Sequence, residues 1–270
     1  MKLIQGDCLE KMKDLPDNSV DLTVTSPPYD NLRTYENDLV WSWDVFTGIA
    51  GQLYRVTKGG GVVVWVVGDA TINGSETGTS FRQALYFKEI GFNLHDTMIY
   101  HKTDSAFPRH GHRKYPGAFD LMFILAKGSP ATFVLLKDRQ NKTAGQVMSG
   151  TVRGINGTTK QSRAKGKAVA EFGARSNVWG YSTGYGKSSS DKIAFEHPAI
   201  FPEALAYDHI ISWSNEGDTV CDPMMGSGTT GKMAKILNRH FIGIEKVPKY
   251  FDIATRRIED TDPLFQAVGL

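Results

Sequence analysis

Thr25-Ser26-Pro27-Pro28-Tyr29 places a hydroxyl, two carbonyls on residues that have no N–H, and an aromatic ring within five positions. Consecutive prolines fix φ and restrict the residue before each of them, so these acceptors are set before a substrate arrives. Groups of this kind suit an aromatic amine. Such an amine is a poor nucleophile because its lone pair is delocalised into the ring. Acceptors placed on the amino hydrogens draw the nitrogen toward a tetrahedral shape and free that pair. The Ser26 hydroxyl and the Pro27 carbonyl are the candidates for this task, and Tyr29 is the candidate to lie on the face of the base. A base inside a duplex must first be rotated out, at about a few kcal/mol, partly recovered by stacking and edge hydrogen bonds in the pocket.

A second stretch with chemical potential lies far along the chain. Val220-Cys221-Asp222-Pro223-Met224-Met225-Gly226-Ser227-Gly228-Thr229-Thr230 reads as a strand, a glycine loop and the start of a helix. Gly226 and Gly228 permit close backbone approach and positive φ, and the N–H groups at a helix start favour an anion. Thr230, Met233, Ala234 and Leu237 share one face of the helix that follows. A strand over His240 to Ile244 then ends in Glu245. Strand, glycine loop, helix, strand and acid form the pattern of a nucleoside-binding α/β fold, with the acid suited to ribose hydroxyls.

These residues need a sheet to hold them, and the chain supplies one. Strands are predicted at Leu3 to Gly6, Val20 to Thr25, Gly61 to Val67, Leu94 to Tyr100, Leu121 to Ala126, Thr219 to Asp222 and His240 to Ile244. Gly61 to Val67 is continuously apolar, as in a strand covered on both faces. Helices are predicted at Cys8 to Leu15, at Trp41 to Thr57 with Phe46, Ile49, Leu53 and Val56 inward, and at Phe81 to Ile90, ended by Gly91. Further helices are opened by Pro202 and span Val247 to Ile258, the last with Phe251, Ala254 and Ile258 buried. Asp69 to Thr79 reads as a loop. Asp30 to Leu39 is a candidate lid, with Arg33 and Tyr35 as candidate DNA contacts. Residues 128–194 are rich in Gly, Ser, Thr, Lys and Arg and carry little periodicity.

The two chemical stretches resemble motifs IV and I of the DNA amino-methyltransferases, whose usual motif I runs Asp-Pro-Phe-x-Gly-Ser-Gly-Thr-Thr. Met224 stands here where Phe is usual, and a thioether can fill that space. The order of the motifs resembles the β class, a circular permutation of the methyltransferase sheet. Gly6-Asp7-Cys8 resembles motif III, His197-Pro198-Ala199-Ile200-Phe201-Pro202-Glu203 motif X, Arg55 to Val67 motif V, and Tyr100-His101-Lys102 motif VIII. The likeness covers roughly residues 1–127 and 195–259.

The resemblance implies a Rossmann-like α/β fold with a seven-stranded, mostly parallel sheet. Residues 1–127 and 195–270 would form the catalytic and cofactor-binding domain, and 128–194 a target-recognition insert. It implies S-adenosylmethionine as cofactor, held by Asp7, Cys8, Thr25, His197, Pro198, Phe201, Asp222, Pro223, Met224, Gly226, Ser227, Gly228, Thr229, Thr230, Glu245 and Lys246. Ser26, Pro27, Pro28 and Tyr29 would be catalytic, transferring the methyl group directly. The Ser-Pro-Pro-Tyr form leans toward cytosine N4 in double-stranded DNA. Adenine N6 stays open, as do, with less support, an RNA base and a non-catalytic nucleic-acid-binding module.

Composition narrows the classes further. The 270 residues carry a net charge of +2 and two cysteines, Cys8 and Cys221. Neither cysteine follows a proline, which disfavours covalent attack on cytosine C5, and no Cys-x-x-Cys occurs, so a reducing cytoplasm of a bacterium, an archaeon or a phage host is expected. No full Gly-x-x-x-x-Gly-Lys-[Ser/Thr] P-loop is present, since Tyr181 stands where Gly186-Lys187-Ser188 would need its first glycine. His101, His110 and His112 lack Cys or acid partners at zinc spacing, so no metal site is expected. No signal peptide and no membrane-spanning run is read. Between Ala131 and Arg175 nine basic residues face only Asp138 and Glu171. Such clustering suits phosphates and makes Arg153, Lys160, Arg163, Lys165, Lys167 and Arg175, with Lys102, the candidate DNA contacts. A cognate restriction endonuclease is a possible partner, and either a monomer or a homodimer is compatible with the sequence.

Overall fold

The computed structural model describes residues 1–30, 41–104, 115 and 117–262. Arg33 and Tyr35, with most of the lid segment, and His110 and His112 lie outside the described residues. The chain divides into two compact units, one of residues 1–134 with 177–270 and the other of residues 135–176.

Among the described residues, the larger unit is built on one sheet of eight strands. In chain order these are β1 (Lys2–Gln5), β2 (Val20–Thr25), β3 (Thr57–Val67), β4 (Asn93–Lys102), β5 (Phe119–Ala126), β6 (Val178–Tyr181), β7 (Thr219–Asp222) and β8 (His240–Glu245). Their spatial order is β1-β8-β7-β2-β3-β5-β4-β6. All neighbours are parallel except at β5, which runs against both β3 and β4. The expected seven strands are therefore corrected to eight. The addition is β6, from the glycine-rich stretch, which pairs with β4 from Val178↔Ile99 to Tyr181↔Lys102.

Helices α1 (Cys8–Lys11), α2 (Trp43–Val56) and α3 (Thr79–Glu89) pack in one layer. Helices α4 (Glu203–Trp213), α5 (Thr229–Ile236) and α6 (Pro248–Glu259) pack in another. Helix α2 starts where the Ser42 hydroxyl accepts from the Val45 N–H at 3.2 Å, a standard N-cap. It buries Phe46, Ile49, Ala50, Leu53 and Val56, the spacing of a core-facing stripe. Phe46, Trp65, Phe87 and Phe92 meet there at 5.2–5.9 Å between ring centroids, edge to face except for the tilted Phe46–Trp65 pair. The Trp65 indole N–H, buried among them, donates to Gln83 at 2.8 Å, which offsets its desolvation.

Several boundaries differ from the sequence reading for local reasons. Strand β3 starts at Thr57 rather than Gly61, because Gly60 and Gly61 pair with Lys127 beyond β5. The expected loop at 69–79 contains a hairpin, Thr71–Ile72 against Ser75–Glu76, turned by Asn73 and Gly74, both at positive φ. In α6 the inward face is Tyr250, Ile253, Ala254, Arg257 and Ile258, with Phe251 only half-buried. Asp208, on α4, accepts from the Tyr181 hydroxyl at 2.6 Å, tying that helix to β6.

The smaller unit is a ribbon. Phe172–Gly173 pairs with Arg139–Gln140, Ala168 bridges Val147, and Thr159–Gln161 pairs with Thr151–Arg153. Between these ladders the backbone bonds continue, for example Met148 N–H to Lys167 and Asn141 N–H to Glu171. One antiparallel arm results, with its tip at 154–158. Among the described residues no helix is long and apolar enough to cross a membrane.

Candidate active site

The switch point of the sheet lies between β7 and β2. From β7 the chain winds outward through α5 to β8, and from β2 it winds the opposite way through α2 to β3. Where neighbouring parallel strands depart in opposite directions, a crevice opens at their carboxyl ends. The Ser26-to-Tyr29 turn follows β2 and the Gly226-to-Gly228 turn follows β7, so both stand over that crevice. They line one cleft of about 1120 Å³, together with Asp7, His197, Glu245 and Tyr250.

A buried hydrogen bond fixes the spacing of the two turns. The Thr25 hydroxyl donates to Asp222 Oδ1 at 2.7 Å, across strands paired at Cys221↔Thr23. The same carboxylate accepts from the Met224 N–H at 3.1 Å. Burial pushes the Asp222 carboxyl up to about 6, against the opposing pull of its hydrogen bonds to Thr25, Met224 and Thr230. Thr230, in the first turn of α5, donates to the Val24 carbonyl at 3.1 Å.

Gly228 caps α5 with φ of 81°. A Cβ there would stand 2.9 Å from the Ala254 Cβ and 3.0 Å from its Cα, so both conformation and space demand glycine. Glu245, only 7 % exposed, accepts from the Gly226 N–H at 2.9 Å and the Val247 N–H at 2.8 Å. Burial pushes its carboxyl up to about 7, opposed by those N–H groups. Asp7 caps α1 through the Leu9 N–H at 2.9 Å and pairs with Lys246 at 3.1 Å. Burial, with Asp7 adjacent, pushes the Cys8 thiol up to about 12, so it is no nucleophile at neutral pH. The His197 ring packs on Tyr250 at 4.4 Å between centroids and against Gly226. Pro198, Phe201, Pro223, Met224, Ser227 and Thr229 also face the cleft.

The donor set fits S-adenosylmethionine. Asp7 and Glu245, at the ends of adjacent strands β1 and β8, offer carboxylates for a nucleoside. The turn before α5 offers N–H groups for a carboxylate. Leu9, Ile49 and Met224 line the same cleft with apolar surface.

The other end of the cleft is aromatic and charged. Tyr29 accepts from the Ser26 hydroxyl at 3.2 Å and donates to Asp120 Oδ2 at 3.4 Å. Lys102 pairs with Asp120 at 2.7 Å, so the expected DNA contact stands inside the cleft. Tyr100, Tyr115 and Phe119 line it as well, and burial beside Asp120 pushes the Tyr100 phenol up. Of the other expected DNA contacts, those within the described residues lie on the ribbon arm. Arg153, Lys160, Arg163, Lys165 and Lys167 are exposed, and Arg175 pairs with Asp138.

Two groups escaped the sequence reading. One is Asp120, for which the apolar run of β5 gave no chemical signal. The other is a buried charge cluster. Lys232 bonds Asp191 and Glu203 at 2.9 Å each. Arg257 bonds Asp191 at 3.0 Å and Glu203 at 2.7 Å and also donates to the Ser227 carbonyl. The glycine turn thus rests on a four-residue ionic floor. Its only trace in the sequence is a Lys and an Arg at core-facing helical positions. Among the described residues no group of three or more His, Cys, Asp or Glu is placed to hold a metal.

Comparison with known proteins adds an independent line. Residues 20–256 match the family model described as DNA methylase. The chain is 55 % identical over 250 residues to the orphan methyltransferase M.BamHII of Bacillus amyloliquefaciens, covering 92 % of each chain. It is 28 % identical over 263 residues to the type II methyltransferase M.BglII of Bacillus subtilis, covering 94 % of this chain and 67 % of that one. Among solved structures, the cytosine-N4-specific PvuII DNA methyltransferase superposes with a TM-score of 0.68 at 19 % identity, over 96 % of this chain and 86 % of that one. The complex of M1.HpyAVI with S-adenosylmethionine gives 0.61 at 22 % identity, over 95 % and 98 %. Both have the same fold.

Proposed function

The chain belongs to the N6/N4 DNA methylase family, and from that premise we propose that it methylates the exocyclic N4 amine of cytosine in double-stranded DNA, with S-adenosylmethionine as donor. One observation carries this reading: the proline turn and the glycine turn share one cleft and are pinned together by the Thr25–Asp222 hydrogen bond.

Bound across the glycine turn, S-adenosylmethionine supplies a methyl group made electrophilic by its sulfonium. Glu245 and Asp7 would take the ribose and adenine edge, Asp222 with the N–H groups before α5 would take the amino-acid end, and His197 packs over the turn. At the opposite end Tyr29 stacks on the extruded base. The Ser26 hydroxyl and the Pro27 carbonyl accept the two amino hydrogens and leave the nitrogen lone pair free toward the donor. Holding both partners in register does most of the work: as the nitrogen takes the methyl carbon the bond to the donor sulfur would break, leaving the thioether S-adenosylhomocysteine, and one amino hydrogen would then leave as a proton to water, with no enzyme-bound intermediate.

The ribbon arm supports DNA as the partner. A two-stranded β-ribbon fits the major groove, and eight exposed cations lie along residues 135–176, five of the expected DNA contacts among them. We assign residues 135–176 as the core of the target-recognition region expected over 128–194. The type II name of M.BglII agrees with a restriction partner, whereas the higher identity to the orphan M.BamHII favours a solitary enzyme.

The test is transfer of labelled methyl from the donor to duplex DNA, followed by nucleoside analysis. N4-methylcytosine is the expected product. N6-methyladenine would move the assignment to adenine, and retained DNA binding without incorporation would refute the catalytic reading.

A further inference from the structure

A serine hydroxyl can donate as well as accept, and a donor pointed at the target nitrogen would occupy the lone pair that must attack. Something must therefore set the direction of the Ser26 hydrogen. The cleft contains a chain of groups that does so. Ser26 Oγ lies 3.2 Å from Tyr29 Oη, which lies 3.4 Å from Asp120 Oδ2, which lies 2.7 Å from Lys102 Nζ. Asp120 is the anionic half of an ion pair, so it only accepts. Tyr29 has one hydrogen and gives it to Asp120. Its oxygen can then only accept from Ser26, whose single hydrogen is thereby drawn away from the target site. The free lone pairs of Ser26 are left for an amino hydrogen.

We propose that Asp120 is the positioning residue that makes Ser26 an acceptor, acting through Tyr29, with Lys102 holding the carboxylate in place. The inference rests on the reading that Ser26 accepts from an exocyclic amine, and it applies equally to cytosine and adenine.

The surroundings are built for this contact. Asp120 is the second residue of β5, beside the end of β4 that carries Lys102, in the register Tyr100↔Asp120. Only 9 % of Asp120 is exposed, and a carboxylate buried so far needs a charged partner. Gly68 follows β3, where a Cβ would stand 2.9 Å from Asp120 Oδ1 and 3.3 Å from the Tyr29 ring. The absence of a side chain there lets phenol and carboxylate meet.

The experiment is a double-mutant cycle between Asp120→Asn and Tyr29→Phe, read as steady-state kcat and KM on duplex DNA, with cofactor affinity by calorimetry. An amide can donate to Tyr29 and reverse every hydrogen in the chain. Asp120→Asn is expected to lower kcat on the order of 10- to 100-fold, the scale of one active-site hydrogen bond, with cofactor affinity and KM within about threefold of wild type. In the Tyr29→Phe background the same change is expected to have almost no further effect on kcat, because the relay is already cut. A purely structural role for Asp120 would lower kcat by the same factor in both backgrounds, and that additivity would overturn the proposal, as would an unchanged kcat in the single variant. If Asp120→Asn unfolds, Asp120→Glu, which stays acceptor-only, must retain more activity than Asp120→Gln, and equal losses would overturn the proposal. Failure of the cycle while wild type still yields a methylated exocyclic amine refutes the relay alone. A product methylated elsewhere refutes the function on which it rests.

Discussion

Glu245 has two tasks in the proposed function: its carboxylate ties down the glycine turn through the Gly226 and Val247 N–H groups, and from its place in the cleft it is proposed to take the ribose. Its folded value is raised to about 7 from an ordinary 4.5, so the folded protein holds this proton more tightly than the unfolded chain. The sign follows from linkage. Its contribution to stability is fully present below about 4.5 and is lost as pH rises through about 7. Asp222 acts in the same direction between 3.8 and about 6. Cofactor affinity runs the other way, since the ionised carboxylate is the better ribose acceptor. We expect affinity to rise from about pH 5 to about pH 8 with proton release on binding, and Glu245→Gln to flatten that profile while weakening binding about tenfold. Calorimetry in two buffers of different ionisation enthalpy checks both. Ser26→Ala should lower kcat on the order of 100-fold with cofactor affinity unchanged, in single-turnover assays. These residues were legible in the sequence because each stands at a fixed offset within its own turn. Asp120 was not, because its partner Tyr29 lies 91 positions away and nothing local marks the pair.

At the scale of elements, the strands that carry the site were readable because their apolar runs are short and end in chemical residues. Strand β2 falls at Val20–Thr25 and β7 at Thr219–Asp222, as their patterns indicate. Strand β6 escaped because Val178–Tyr181 lies among glycines and serines and gains its order only by pairing with β4, about 80 residues earlier. Helix α5 reads as amphipathic, yet all six residues from Thr229 to Ala234 are buried. It carries Lys232 inward to Asp191 and Glu203 with 1 % of its side chain exposed. Removing one member of such a cluster leaves an uncompensated buried charge. Lys232→Ala is expected to cost about 3–5 kcal/mol in urea unfolding. Gly228→Ala, strained at positive φ and crowded by Ala254, should cost at least about 1–2 kcal/mol.

For the whole molecule, the candidate catalytic residues and the basic ribbon proposed for recognition fall on separate compact units, so their variants should separate as well. Replacing Lys160, Arg163, Lys165 and Lys167 by alanine is expected to weaken DNA binding and to reduce the slope of log K against log salt by up to about 0.9 per lost phosphate contact. Cofactor affinity should not change. Fluorescence anisotropy across a salt series checks the first, and calorimetry the second. The fold was legible as a whole because motif order and strand order constrain each other. The ribbon was not, since its residues are almost all exposed and carry no buried face to set a period.

The convergence of the two turns is tested most directly by a structure of the protein with duplex DNA and an unreactive amine analogue of S-adenosylmethionine. The account predicts an extruded cytosine stacked on Tyr29, with its N4 hydrogens on Ser26 and Pro27 and its nitrogen within about 3.5 Å of the analogue's transferable-methyl position. A base seated away from the proline turn, or an analogue bound away from Gly226 and Glu245, would contradict it.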